Sequence, residues 1–165
     1  MKYKFDKAQI CLNGCVINSR SSEAPELNAS YCIHCGAQII DKCPNCQEPI
    51  RGMTSFYNEA FNYWNTCGFN FPRHCHGCGS PYPWTEKALQ AATILIQEAD
   101  ELTPEEKAAF KENINELTAD TPMTPVATHR IKKVLSKLGQ GTADAIGKII
   151  ITVVTEATKQ ALFPK

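Results

Sequence analysis

Cys11-Leu12-Asn13-Gly14-Cys15, Cys32-Ile33-His34-Cys35, Cys43-Pro44-Asn45-Cys46 and Cys75-His76-Gly77-Cys78 are the four segments that decide the fold. Between them they hold eight of the nine cysteines, and Cys67 is left over. Two thiols presented by one short turn are half of a four-coordinate zinc site. Four such turns supply the ligands of two. The sequence predicts two zinc ions per chain as the only cofactor.

Two arrangements join the pairs. In the sequential one, Cys11, Cys15, Cys32 and Cys35 form site 1, and Cys43, Cys46, Cys75 and Cys78 form site 2. The 16 and 28 residues between partner pairs then each accommodate a hairpin, and seven residues join the sites. In the interleaved one, the first pair joins the third and the second the fourth, as in cross-braced RING-type domains. Such domains usually place a histidine within the ligand series. The sequential arrangement, two zinc ribbons in tandem, is the expectation.

A dithiol redox site is the rival reading of a CxxC motif. It requires one pair at a helix N-terminus beside a βαβ pattern rather than four pairs. His34, His74 and His76 flank the ligand positions, and with eight thiols available they are expected outside the coordination shells. Cys67 reads as a small buried residue. Gly36 follows its pair where the backbone must turn with positive φ.

Hydrophobic residues make up 43% of the chain and charged residues 21%, as in a globular protein. Net charge is zero but unevenly spread. Residues 85–120 carry nine acidic and three basic side chains, and residues 121–165 carry seven basic and two acidic. Residues 1–84 stand at +1 and fall to about −3 once two tetrathiolate zinc sites form. A generally basic nucleic-acid binder is not indicated. The first residues, Met1 to Cys11, lack an apolar core of signal-peptide length, which points to the cytoplasm, where paired cysteines are metal ligands rather than disulfides. The markedly apolar run Ile149–Thr155 is far short of the ~20 residues that span a bilayer.

Around the cysteines the pattern is short strands and turns. Residues 3–17 are expected to form strands about the Cys11–Cys15 turn. The aromatic segment from Phe56 to Phe71 is expected to pack against the small ribbons rather than to stack on bases. After Thr85 the period becomes helical. Leu89, Ala92, Ile96 and Ala99 mark a first helix. Thr103-Pro104-Glu105-Glu106 is a capping box opening a second, with Phe110, Ile114 and Leu117 inward. Thr124-Pro125 starts a third in the same way, buried through Ile131, Val134, Leu135 and Leu138 and capped by Gly139. A fourth runs from about Thr142 to Leu162, although its Ile149–Thr155 core is β-branched and favours strand.

The fold class is therefore α+β. A double zinc-ribbon domain of short β-hairpins (1–84) precedes a domain of about four helices (85–165). The latter consists of an acidic hairpin (85–120) and basic helices (124–162).

Ile10-Cys11-Leu12-Asn13-Gly14, Tyr31-Cys32, Cys35-Gly36-Ala37, Cys43-Pro44, Ile50-Arg51-Gly52 and, above all, Cys78-Gly79 with Pro81-Tyr82-Pro83-Trp84-Thr85 resemble the DUF2321 family of uncharacterised bacterial proteins. The likeness is densest over residues 8 to about 100. It implies a zinc-ribbon-like region joined to a helical tail and brings no established activity.

No HExxH, zinc-deaminase or phosphate-loop pattern is present. Gly139-Gln140-Gly141 with Gly147-Lys148 has the wrong spacing and Ile149 where a hydroxyl is needed. No catalytic residue is assigned. Eight thiolates leave no open metal position for a water. The expected function is a non-catalytic zinc protein acting as a protein-interaction or adaptor module, with partner binding or self-association through the C-terminal helices. A nucleic-acid-binding ribbon using Arg51, Arg73, His74, His76 and the aromatics is the first alternative. An enzyme or effector with an unseen site is the second.

Overall fold

The computed structural model describes residues 2–163. The chain is mixed α+β and divides into two compact units, Met1–Trp84 and Thr85–Lys165.

The first unit has six short strands in two antiparallel three-stranded sheets. β2 (Gln9–Cys11) lies between β3 (Val16–Asn18) and β4 (Ile39–Ile40). β5 (Arg51–Asn58) lies between β1 (Tyr3–Lys7) and β6 (Tyr63–Gly68). The strands expected near the first cysteine pair are thus shared out. β1 leaves its sequence neighbours and pairs with β5, Tyr3 opposite Phe56 and Phe5 opposite Thr54. The reason lies in the chain just after β1. The Ala8 amide donates to the Ile50 carbonyl at 2.8 Å, and the Ser21 amide donates to the Lys7 carbonyl at 2.9 Å. Ala8, Ile10 and Ile50 are fully buried there.

Gly52 makes that crossing feasible. A Cβ on it would stand 2.7 Å from the backbone carbonyl of Lys7 and would also strike the carbonyl of Ser19. The Ser19 carbonyl accepts the Met53 amide at 2.7 Å, so neither backbone can retreat without breaking the pairing.

The segment around Cys67 forms the β5–β6 hairpin, with Tyr57 opposite Trp64 and Asn58 opposite Tyr63. Here the structure corrects two expectations. Cys67 is exposed rather than buried. Phe61, Tyr63 and Trp64 are exposed as well, because the hairpin extends beyond the small core instead of folding onto it.

The second unit is helical. Its helices are α1 (Pro83–Glu98, whose first residues belong to the first unit), α2 (Pro104–Asn113), α3 (Thr124–Leu135), α4 (Gln140–Ile150) and α5 (Glu156–Leu162). Ala92, Ile96, Phe110, Ile114, Leu117, Ile131, Ile146, Ile150 and Val154 share one core. The capping box at the start of α2 is complete: Thr103 Oγ1 accepts the Glu106 amide, and Glu106 Oε2 accepts the Thr103 amide. Lys137 pairs with Glu106, joining the basic and acidic segments within this unit.

Three helix-boundary expectations change. Thr124 does not cap α3; its hydroxyl donates to the Ala119 carbonyl at 2.7 Å and ties down the preceding turn. Gly139 has φ −56° and stands at the N-terminus of α4 rather than ending α3. The segment expected as one fourth helix is two. The β-branched run is the break: Ile151–Val154 form a turn that buries Val153 and Val154. Thr155 then turns extended, and its side chain accepts the Thr158 amide to start α5. Crowding between adjacent β-branched side chains weakens a helix, and a threonine at the N-cap restarts it. Gly147 leaves room for the Phe163 ring, which would stand 2.8 Å from a Cβ there.

Two glycines should respond oppositely to alanine. Gly52→Ala should destabilise the protein by about 1–3 kcal/mol, because backbone rather than flexible side chain is in the way. Gly141→Ala, in an exposed turn of α4 with nothing within 4 Å, should stabilise by up to about 1 kcal/mol. Thermal unfolding of the metal-loaded protein measures both, and equal responses would contradict the packing described.

Candidate metal centres

The paired cysteines sit in four tight turns, three of them built alike. The first cysteine's amide donates to the carbonyl five residues on: Cys32 to Ala37 at 2.9 Å, Cys43 to Glu48 at 2.8 Å and Cys75 to Ser80 at 2.8 Å. Its carbonyl accepts the amide four residues on, from Gly36, Gln47 and Gly79. That fourth residue has φ of +69°, +65° and +73° respectively. Glycine takes this conformation readily. Gln47 takes it too, while its Nε2 donates to the Cys43 carbonyl at 3.3 Å. The Cys11 turn is one residue longer and differs: the Cys11 amide bonds the Cys15 carbonyl, and Gly14, at φ +90°, donates to the Cys11 carbonyl.

The turns converge in two groups. The sulfurs of Cys11, Cys15, Cys32 and Cys35 all lie within 4.8 Å of one another, and so do those of Cys43, Cys46, Cys75 and Cys78. The structure thus brings the cysteine pairs together in sequential order. Cys11 and Cys35 sulfurs are 3.7 Å apart, Cys43 and Cys78 3.8 Å, and Cys46 and Cys75 3.6 Å. Disulfide sulfurs would stand at about 2.05 Å. Four sulfurs at about 2.3 Å from a common tetrahedral ion stand about 3.8 Å from one another. The quartets therefore fit a metal ion and not a pair of disulfides. Two cysteine tetrads of this kind suit a structural zinc-binding protein.

In each pair the first cysteine is buried, and the second is exposed or half-buried. Each group therefore anchors in the core through Cys11 and Cys32, or Cys43 and Cys75. An asparagine two residues after the leading cysteine reaches across each group. Asn13 Nδ2 donates to Cys35 Sγ, and Asn45 Nδ2 to Cys78 Sγ, both at 3.5 Å. Asn45 also donates to Ser80 Oγ at 3.1 Å.

Hydrogen bonding sets how the thiols share charge before a cation is added. Asn45, Ser80 and the Ser80 backbone hold Cys78 down to about 5, and the Ala37 backbone, with help from Asn13, holds Cys35 down to about 7. Burial and the neighbouring Cys11 push Cys15 up to about 12. Each group thus mixes a thiol that is pulled down with one that is pushed up, and four adjacent negative charges need a cation among them.

No histidine enters either group. His34 and His76 are exposed, and His76 Nε2 lies 3.4 Å from Glu48 Oε1. His74, half-buried next to Arg73, has its imidazole pushed down by burial and by that charge.

The residues after the last turn lock the unit. Tyr82 and Trp84 are almost fully buried and stack at 4.6 Å between centroids. Trp84 Nε1 donates to the Pro72 carbonyl at 2.8 Å. A Cβ on Gly14 would come within 3.0 Å of Trp84 Cβ, so the first cysteine turn lies directly against this tryptophan. The Tyr82-Pro83-Trp84 tail of the last turn therefore braces the first.

A family model described as an uncharacterized protein conserved in bacteria (DUF2321) matches residues 4–162. The chain belongs to that family. No curated protein and no solved structure matches it. For this DUF2321 protein the match extends from β1 through α5, so the helices are as much part of the family as the cysteine groups. Among the described residues no helix is long and apolar enough to cross a membrane.

Metal analysis should find about two zinc per chain. Cys43→Ser should lower this to about one, and Cys11→Ser should do the same through the other group. Zinc binding should weaken as pH falls. Cys15 carries a proton at neutral pH and must lose it to bind, so protons compete and affinity rises with pH. Calorimetry in buffers of different ionisation enthalpy reads the released protons. No proton release at neutral pH would contradict the assignment.

Proposed function

We propose that this protein is a non-catalytic two-zinc scaffold in the cytoplasm whose helical unit docks a protein partner. Cys11, Cys15, Cys32 and Cys35 hold one ion, and Cys43, Cys46, Cys75 and Cys78 the other. The observation that carries the reading is closure. Each group supplies four sulfurs, and its members are cysteines alone. A tetrathiolate ion has no position for an activated water. The zinc then supplies folding energy and a fixed shape, with residues 1–84 as one domain and 85–165 as the other.

The helical unit offers the docking surface. A groove of about 550 Å³ runs between α3 and α5, walled by Thr124, Pro125, Thr128, Ala157, Thr158 and Ala161. The hydroxyls of Thr124 and Thr128 donate to the Ala119 and Thr124 carbonyls, each at 2.7 Å, so methyl groups line the wall. Small side chains on two helices leave space for large apolar ones from a third. Asp120, His129 and Lys132 give the mouth its polar groups. The occupant this favours is an amphipathic helix of a partner protein.

Ala157→Arg and Ala161→Arg fill the groove from exposed helical positions and should leave the fold intact. A partner recovered with the zinc-loaded protein from its host should be lost with either variant. An unchanged set of partners would sink the groove. Turnover that persists after both quartets are intact but stops on substitution elsewhere would replace the scaffold reading with an enzyme.

A further inference from the structure

The face of the β1–β5–β6 sheet is unusual for a surface with nothing on it. Register places Tyr3, Phe5, Phe56 and Tyr63 on one side, with Thr54, Asn58 and Asn65 between them. Tyr3 is 58% exposed, Phe5 50% and Tyr63 49%, and Phe61 at the hairpin turn is 72% exposed with its ring 6.1 Å from Tyr63. Tyr3 and Phe56 rings are 6.5 Å apart. Residues 2–7 and 51–68 contain no leucine, isoleucine or valine. This face presents separated rings with amides and hydroxyls between them.

The charges on these strands are mostly positive. Of Lys4, Lys7 and Arg51, Lys4 pairs with Glu23 at 2.7 Å and Lys7 lies 3.8 Å from Asp41. The Asp6 carboxylate is taken up by the amides of Lys7, Ser22 and Glu23. The Arg51 guanidinium lies 4.5 Å from the Phe5 ring centroid. Lys4 Nζ lies 4.9 Å from that of Trp64, on the opposite side, while also pairing with Glu23. Rings for bases, cations for phosphates and amides for base edges are the components of a single-strand platform.

We propose that this sheet binds single-stranded nucleic acid, with bases stacked on Phe5, Tyr3, Tyr63 and Phe61 and phosphates drawn to Arg51. The proposal goes beyond the scaffold reading and needs only the first unit's own surface. It fits no duplex, because stacking on side chains requires unpaired bases.

The test is fluorescence anisotropy of the zinc-loaded full chain with labelled oligo(dT) and oligo(U) of about 15 nucleotides, each against a duplex of equal length. Single strands should bind more tightly than the duplex, and the bond should weaken as salt rises. Comparison of oligo(dT) with oligo(U) shows which sugar is preferred. Phe5→Leu and Tyr63→Leu keep apolar bulk and should each lower affinity about ten-fold. Arg51→Gln should weaken binding and reduce the salt slope by roughly one phosphate contact. Metal content and thermal midpoint of each variant establish that it is folded. No binding at about 50 mM salt would overturn the proposal. So would equal affinity for the duplex, affinity indifferent to Phe5→Leu and Tyr63→Leu, or sedimentation showing dimers that Tyr63→Leu dissociates.

Discussion

Eight sulfurs held at metal-binding separations are the constraint on which the first unit depends. Among the described residues, four of its ten buried apolar ones, Cys11, Cys32, Cys43 and Cys75, are themselves members of the quartets. The remainder, Ala8, Ile10, Ile39, Ile50, Tyr82 and Trp84, are too few to order so many turns alone. A structural zinc site contributes ~10 kcal/mol or more to folding. Without a cation the same sulfurs would keep protons or repel one another as thiolates. A metal ion held by these sulfurs would couple its binding to the folding of this unit, whereas the helical unit has an apolar core of its own.

That dependence explains the economy of the surrounding structure. Three cysteine turns repeat one hydrogen-bond scheme, each with its closing residue at positive φ. Two asparagines, Asn13 and Asn45, occupy equivalent places in the two groups and reach the equivalent sulfurs Cys35 and Cys78. The groups are versions of one device. They differ where the chain must connect them. Cys11-Leu12-Asn13-Gly14-Cys15 has an extra residue, and Gly14 in it lets the backbone lie against Trp84. The tail after Cys78 thereby has a packing role.

What could be read from the chain is what depends on near neighbours. Cysteine spacing indicated the two groups, since a tight turn commits both its thiols to one point. Thr103 and Glu106 disclosed their helix start because a capping box is closed within four residues. The positions of β1 and Cys67 were hidden for the opposite reason. β1 pairs with a strand more than forty residues away, and only the room at Gly52 and the hydrogen bonds of Ala8 and Ser21 direct it there. Cys67 and the neighbouring aromatics read as core by residue type, yet a hairpin with no second layer beside it has no core to offer them. Ile149–Thr155 showed its conflict openly: period argued for helix and branching for strand. The structure takes neither and inserts a turn before Thr155.

The same logic bears on where function sits. Ligands spent on closing a metal shell cannot act on a substrate, so the residues most readable in the sequence are the least available for activity. What remains available was the least readable: methyl-lined walls on α3 and α5, and rings on a sheet whose register no local pattern announces. Both surfaces arise because a rigid support holds side chains where solvent alone would not favour them. An exposed ring on a floppy chain would collapse onto any apolar neighbour. Tyr3, Phe5 and Tyr63 stay apart because β5 fixes the spacing of the strands on either side of it. The β5 strand in turn begins at Arg51, only five residues after Cys46. The turn of the second sulfur quartet leads directly into that strand, although none of its ligands lies on the face.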